Sequence, residues 1–154
     1  MARRFRGSDT YKVDGKGRVS IPASFRRVIE ASDPDWTPGS KPGIVIVYGD
    51  EAQSWLEVYT MEAIDEIDRQ ISLMQRGSPE RNALEDLMNG YSMDSSVDED
   101  GRLVLPSKLR EKIGIRDEAF FFSKGDYFQI WNPQAFQEAK DRERARMAQA
   151  LPEG

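Results

Sequence analysis

Residues 13–27, VDGKGRVSIPASFRR, place a glycine-rich basic turn between two short apolar runs. The same pattern returns at residues 97–110 as VDEDGRLVLPSKLR. The matching pairs lie 84 positions apart, without a gap: Asp14 and Asp98, Gly17 and Gly101, Arg18 and Arg102, Pro22 and Pro106, Arg26 and Arg110. A repeat of this length predicts two copies of one structural unit within the chain.

Each copy has the pattern of a hairpin followed by a short helix. Apolar residues alternate at Val19 and Ile21, and again 84 positions later, which predicts half-buried strands. A proline ends each of these strands and suits the first turn of the helix that follows. The helices are predicted over ASFRRVIEA and SKLREKIGI, and Gly114 is placed to end the second one.

Two further strands complete each copy, and helices are added to both. GIVIVY and SWLEVY follow the first helix, and AFFF and YFQIW follow the second. Isoleucines at 64, 67 and 71 predict an amphipathic helix, and SPERNALEDLMNG predicts another with a Ser cap and a following Pro. A last helix is predicted from Asn132, with fraying or a tail past Lys140, where charged residues dominate.

The repeat also predicts how the chain is organised. One unit of about 40 residues is too small to bury a stable core by itself. We therefore expect an α+β fold in which two ββαββ-like units interleave their hairpins about a pseudo-twofold axis. The predicted domains are a first repeat at 5–60, a helical insertion at 61–91, a second repeat at 92–137 and a charged C-terminal helix or tail at 138–154.

Composition excludes several classes of protein. The chain has 154 residues, a net charge of −5, no Cys and no His, so disulfides, thiolate nucleophiles, the commonest zinc ligands and the commonest general base are all missing. No apolar run approaches the roughly 20 residues that cross a bilayer, and the basic N-terminus lacks the apolar segment of a signal peptide. We expect a cytoplasmic protein that is not an enzyme, with no metal and no cofactor.

Charge is unevenly distributed along the chain. Residues 1–30 contain eight Lys or Arg and three Asp or Glu, a net charge of +5, whereas residues 31–93 contain four and twelve, a net charge of −8. A solvated basic face would account for this pattern. A surface that binds a polyanion, on an otherwise acidic body, would account for it as well.

The two glycine-rich turns carry the candidate binding residues. We name residues 14–17, DGKG, the first loop and residues 98–101, DEDG, the second loop. Arg18 and Arg102 follow them directly, and arginine suits phosphate oxygens and the O6/N7 edge of guanine. An Asp four residues earlier could fix each Arg side chain across the turn. A purely local role, in which the Asp–Arg pair only pins the turn, is the alternative.

These motifs resemble a known family. FRG at residues 5–7, both repeats and the segment SPERNALEDLMNGYSMDSSVDEDGR are similar to the MraZ transcriptional regulators, within the AbrB/SpoVT swapped-hairpin group. The resemblance implies a duplicated, AbrB-like β-barrel. It also implies a homo-oligomeric ring, commonly an octamer, associated with the nucleoid. Its ligand would be short direct repeats in double-stranded promoter DNA, ahead of the division and cell-wall gene cluster.

The resemblance places DNA contacts on the hairpin loops. The predicted DNA-binding residues are Arg3, Arg4, Arg6, Asp14, Lys16, Arg18, Asp98 and Arg102. This chain departs from the family pattern by adding Arg3 and Arg4 to Arg6 and by carrying two acids, Glu99 and Asp100, in the second loop. We therefore expect the first loop to supply most of the affinity for DNA.

Other classes of function fit the sequence less well. An enzyme would have to use Asp14, Asp98 or Ser20 without any His or Cys, and a calcium loop that began at Ser96 would place Ser107 where a Glu is required. An AbrB-like antitoxin would need a longer partner-binding tail. A ring scaffold without DNA would leave the basic N-terminal cluster unused. Clustered aromatic residues such as Phe120 could stack on single strands, but their strand spacing favours the core.

Overall fold

The computed structural model describes residues 4–150, which form eight β-strands and five α-helices. Strands β1 to β8 are Ser8–Lys12, Arg18–Ser20, Gly43–Val47, Trp55–Thr60, Ser92–Ser96, Arg102–Val104, Glu118–Ser123 and Tyr127–Trp131. Helices α1 to α5 are Ala23–Ala31, Met61–Ser72, Pro79–Glu85, Ser107–Ile113 and Pro133–Ala150, and a π-helical turn, Asp86–Gly90, follows α3. The predicted α+β class is confirmed.

Strands from the two halves of the chain pair with one another. A six-stranded antiparallel sheet has the order β1-β7-β8-β4-β3-β5, and β2 pairs with β6 in a separate two-stranded ribbon. Strands β1 and β2 lie 84 residues before β5 and β6, and in the order of strands within each half β3 and β4 correspond to β7 and β8. Exchanging every strand for its counterpart gives the same sheet order in reverse. Neither half therefore completes a sheet alone, because β1 and β5 each lie against a strand of the other half.

The main core lies between the large sheet, the ribbon, α1 and α4. Val19 and Leu103 face inward from the ribbon and are 0% and 1% exposed. The predicted apolar stripes of α1 and α4 are buried against the same cluster, which confirms both helices and their orientation. Gly114 ends α4, as predicted, and adopts a left-handed conformation there. Burial of these stripes is the main source of stability for helices of seven and nine residues.

The other face of the sheet is covered by α2 and by the beginning of α5. Ile64 and Ile71 of α2 pack with Val45 and Val47, so β3 is buried on both faces. Phe136 of α5 contacts Phe120 and Phe122, which are only half-buried, whereas three other predicted core aromatics, Phe121, Phe128 and Trp131, are buried. The aromatic residues of these strands thus pack as structural side chains.

One expectation is corrected by the structure. Helix α5 continues to Ala150 without the fraying expected past Lys140, although residues 141–150 are all exposed. The loop glycines Gly17 and Gly101 adopt positive φ, at +82° and +74°. Within residues 4–150, every helix is too short or too polar to cross a membrane.

Candidate nucleic-acid interface

A single carboxylate organises the first loop. Asp14 Oδ1 accepts hydrogen bonds from the backbone N–H groups of Lys16 and Arg18, both at 2.9 Å, and Asp14 Oδ2 accepts from Arg18 Nε at 2.6 Å. The backbone N–H of Gly17 donates to Asp14 O at 2.9 Å and closes the turn. The predicted Asp–Arg contact is therefore present, and it holds a side chain that is still 34% exposed.

The second loop repeats this geometry with one added contact. Asp98 Oδ1 accepts from the backbone N–H groups of Asp100 at 2.9 Å and Arg102 at 2.8 Å, and Asp98 Oδ2 accepts from Arg102 Nε at 3.0 Å. In addition, Arg102 Nη2 donates to Asp100 Oδ2 at 3.0 Å. The residue 84 positions before Asp100 is Lys16, so no such contact is possible in the first loop.

These hydrogen bonds lower the pKa of both carboxylates. The backbone N–H of Arg18 makes the largest contribution in lowering the pKa of Asp14 to about 2, and the Arg18 side chain and the Lys16 N–H lower it further. Burial opposes this effect at Asp98, but the backbone and side-chain donors of Arg102 still hold the pKa of Asp98 below its ordinary value. Both Asp–Arg pairs are therefore charged at neutral pH.

The ribbon brings the two arginines to one face. Arg18 lies opposite Val104 and Arg102 lies opposite Ser20, so the arginines are diagonal neighbours with Cα atoms about 7–8 Å apart. Val19 and Leu103 between them are buried, which turns both guanidinium groups to the outer side. An open pocket of about 640 Å³ lies beside them, with Lys12 on its wall. The sequence predicted both loops, and the structure adds their shared face.

Two further arginines, Arg26 and Arg110, support the loops, a role that the sequence pattern did not indicate. Arg110 Nε donates to Leu105 O at 2.9 Å, and its side chain lies against Gly17 of the first loop. Its counterpart Arg26 donates to Glu99 O at 3.3 Å and lies beside the second loop. Each arginine comes from the half of the chain that does not contain the loop it supports. Their recurrence 8 residues after Arg18 and Arg102 was the available signal.

The N-terminal arginines are placed elsewhere. Phe5 is buried, and its N–H donates to Gly125 O at 2.7 Å in the turn between β7 and β8. Arg4 and Arg6, both exposed, flank this anchor. Strand β1, about 17 Å long, separates them from Asp14, so within this chain they do not extend the surface of the first loop. The third predicted arginine, Arg3, lies outside the described residues.

The loops differ in charge despite their common geometry. The first loop with Arg18 contains two cations and one carboxylate, and the second loop with Arg102 contains one cation and three carboxylates. No side-chain ion pair involves Lys16 within residues 4–150. In the same range, no cluster of three or more Asp or Glu is arranged to hold a metal ion. Positive charge at the ribbon is thus concentrated at the first loop.

Comparison with known proteins identifies the family. The family model described as "MraZ protein, putative antitoxin-like" matches residues 4–86 and 91–151. This chain belongs to the MraZ family. The MraZ match spans both repeats and the helices between them, so the resemblance suggested by the two loops is confirmed along nearly the whole chain.

Individual MraZ relatives agree. The chain is 56% identical to "Transcriptional regulator MraZ" of Ruegeria sp. (strain TM1040) over 153 residues, which cover 99% of this chain and 92% of the relative. It is 57% identical to the protein of the same name from Ruegeria pomeroyi, with the same coverage. A third, from Cereibacter sphaeroides, is 45% identical over 143 residues, which cover 88% of this chain and 84% of the relative. MraZ is a family of transcriptional regulators and not of enzymes, as predicted.

Proposed function

We propose that this chain is a transcriptional regulator that binds double-stranded DNA in a sequence-specific manner through the outer face of its ribbon. The observation that carries the proposal is the partly exposed guanidinium of Arg18, held in place by Asp14 beside Lys16, whose ammonium makes no side-chain ion pair within residues 4–150. The names of the MraZ relatives support the class of function. The fold supports it as well, because it directs both hairpin arginines to one side.

The geometry of Arg18 suits it to guanine. Asp14 occupies only Nε, and among the described residues the Nη1 and Nη2 groups make no hydrogen bond. An end-on pair of N–H donors can therefore reach guanine O6 and N7, a contact that discriminates between bases. Lys16 offers a point charge that suits phosphate, which supplies affinity without sequence choice. Asp14 takes part indirectly, since it fixes the Arg18 side chain before DNA binds.

Several subunits are needed for promoter specificity in this proposal. One small loop can contact only a few base pairs, so we propose a homo-oligomeric ring, such as an octamer, whose loops face short direct repeats. Each additional loop then binds at a high effective concentration. The proposed target is the promoter of the division and cell-wall gene cluster, which would place the protein with the nucleoid in the cytoplasm.

The proposed architecture is a duplicated swapped-hairpin barrel, with the repeats at 5–60 and 92–137 as its two units. Support comes from the sheet order, which is unchanged in reverse when each strand is exchanged for its counterpart. The contacts of Arg26 with Glu99 and of Arg110 with Gly17 cross between the halves and support it too, since each half braces a loop of the other. In this architecture the helical segment 61–91 and the segment 138–154 are additions to the barrel.

The decisive experiment is a titration of labelled promoter DNA with the wild-type protein and an Arg18→Ala variant at two salt concentrations. We expect Arg18→Ala to lose specific binding while its circular-dichroism spectrum is unchanged, because the side chain lies on the outer side of the ribbon and, among the described residues, hydrogen bonds only to Asp14. Arg142→Ala, which removes one exposed cation from α5, is the matched control and should bind like wild type. Equal binding by all three proteins would refute the proposed site.

The ring and repeat proposal has a separate test. DNA with one repeat and DNA with three regularly spaced repeats are compared by gel shift at the same salt concentration. We expect three repeats to bind far more tightly than one, and a half-turn change in spacing to remove most of the difference. If one repeat bound as tightly as three, avidity would play no part. Failure to bind any duplex would instead favour a scaffold or antitoxin role.

A further inference from the structure

The second loop carries a carboxylate where the first loop carries a cation. Asp100 occupies the position of Lys16, and its Oδ2 accepts from Arg102 Nη2 at 3.0 Å. Because Asp98 already accepts from Arg102 Nε, this guanidinium contacts two carboxylates, whereas that of Arg18 contacts one. One of the two outer nitrogens of Arg102, which would have to form a guanine contact, is therefore engaged within the protein.

The charge of Asp100 matters more than the hydrogen bond itself. The Asp100 side chain is 74% exposed, and an exposed ion pair is weak and easily broken. Its negative charge nevertheless stays beside Arg102 when the pair opens. A phosphate that approached this loop would meet three carboxylates and one cation, and would be repelled where the first loop attracts it.

We propose that Asp100 is a specificity-determining residue that confines DNA recognition to the first loop of each subunit. This inference rests on the proposed function. Arg102 matches Arg18 in its backbone geometry and lies on the same face of the ribbon, so position and conformation do not exclude it from DNA. The loops differ at two positions, where Glu99 and Asp100 replace Gly15 and Lys16, and of the two acids it is Asp100 whose side chain pairs with the second arginine. Each subunit then presents one effective arginine instead of two.

Replacement of Asp100 should convert the second loop into a second DNA-binding loop. The loop fold should survive, because Asp100 holds the turn through its backbone N–H, and among the described residues its side chain hydrogen bonds only to Arg102. We expect Asp100→Ala to bind DNA with one repeat about tenfold more tightly than wild type. Asp100→Lys, which copies the first loop, should bind more tightly still. The slope of log affinity against log salt concentration should steepen by about 0.9 for each additional phosphate that the variant neutralises.

The controls separate a local effect from a change of net charge. Asp65→Ala removes one exposed carboxylate from α2 and should bind like wild type. Asp100→Ala combined with Arg102→Ala should lose the increase in affinity, since the freed guanidinium is its source. Fluorescence anisotropy with one repeat, in two salt concentrations, measures all five proteins, and circular dichroism confirms that each is folded.

The outcomes distinguish this inference from the function on which it rests. If wild type does not bind the repeat, the proposed function is wrong and the inference falls with it. If wild type binds but folded Asp100→Ala and Asp100→Lys bind no more tightly, the role of Asp100 is refuted and the proposed function stands. The same conclusion follows if Asp65→Ala shows an equal increase in affinity, or if the increase persists without Arg102.

Discussion

The two loop glycines, Gly17 and Gly101, offer a matched test of the structure. Both adopt positive φ, where an alanine is strained, but their surroundings differ. A Cβ at Gly17 would lie 2.3 Å from Leu105 O and 2.8 Å from Arg110 Nε. A Cβ at Gly101 would meet nothing closer than Arg26 Nη1 at 3.4 Å, an ordinary contact with a flexible side chain. We therefore expect Gly17→Ala to destabilise the protein far more than Gly101→Ala.

The magnitudes follow from these contacts. Gly101→Ala should cost about 1–2 kcal/mol, the strain of a left-handed alanine. Gly17→Ala adds a clash with a backbone carbonyl, which can be relieved only by moving β2 from β6. That movement weakens the hydrogen bonds from Leu105 N to Gly17 O and from Arg110 Nε to Leu105 O, now 2.8 and 2.9 Å. The total should reach about 3–6 kcal/mol, much of the stability of an ordinary domain.

Urea unfolding, followed by far-ultraviolet circular dichroism, measures both variants. Protein concentration must be the same in every sample, because assembly would contribute to the apparent stability. With a slope of about 2 kcal/mol per molar urea, the midpoint should fall by about 0.5–1 M for Gly101→Ala and about 1.5–3 M for Gly17→Ala. Equal shifts, or a larger shift for Gly101→Ala, would refute the packing described for the first loop.

Three further predictions concern stability. Phe5→Ala should lower the free energy of unfolding by about 3–5 kcal/mol, because the ring is 2% exposed and its centroid lies 5.0 Å from those of two other phenylalanine rings. Thermal unfolding tests this prediction, and a loss of stability no larger than that of Phe5→Leu would contradict it. Asn132→Ala should lower the free energy of unfolding by about 1–2 kcal/mol, since Asn132 caps α5 and donates a hydrogen bond to Gly114 O at 2.6 Å. Urea unfolding measures this loss, and an unchanged midpoint would contradict a stabilising role for the cap. Asp14, whose folded pKa of about 2 lies below its unfolded value near 3.9, stabilises the fold above pH 4 and loses this effect as the pH falls through 2. The difference in stability between wild type and Asp14→Asn should therefore shrink between pH 5 and pH 2, and a constant difference would exclude this linkage.

Local sequence patterns were sufficient to predict most helices and strands of this fold. Helices α1 and α2 follow from apolar residues at helical spacing, and the Ser78 cap of α3 follows from its sequence. The end of α5 was not predictable in this way. Its last ten residues are exposed, so no apolar stripe marks them, and their helical conformation reflects a run of Arg, Glu, Ala, Met and Gln, which all favour helix.

The candidate site was partly predictable for the same reason. The contact between Asp14 and Arg18 spans one turn, and both its residue types and its spacing are visible in the sequence. Arg110 beneath Gly17 was not predictable, because 93 residues separate them and their contact depends on the pairing of β2 with β6. The distance of Arg4 and Arg6 from the first loop was not predictable either. These residues are near Asp14 in the sequence, but the structure places them at the opposite end of β1.

By itself, the sequence determined the duplicated unit, its strands and helices, the family and the turn chemistry that orders each loop, because all of these depend on residue types at short or repeated spacings. Only the tertiary structure decided which strands pair across the halves, that both arginines share one face, and that Asp100 engages Arg102 while the outer nitrogens of Arg18 make no hydrogen bond within residues 4–150. Those features depend on the register between β2 and β6 and on side-chain directions, which a linear pattern does not specify.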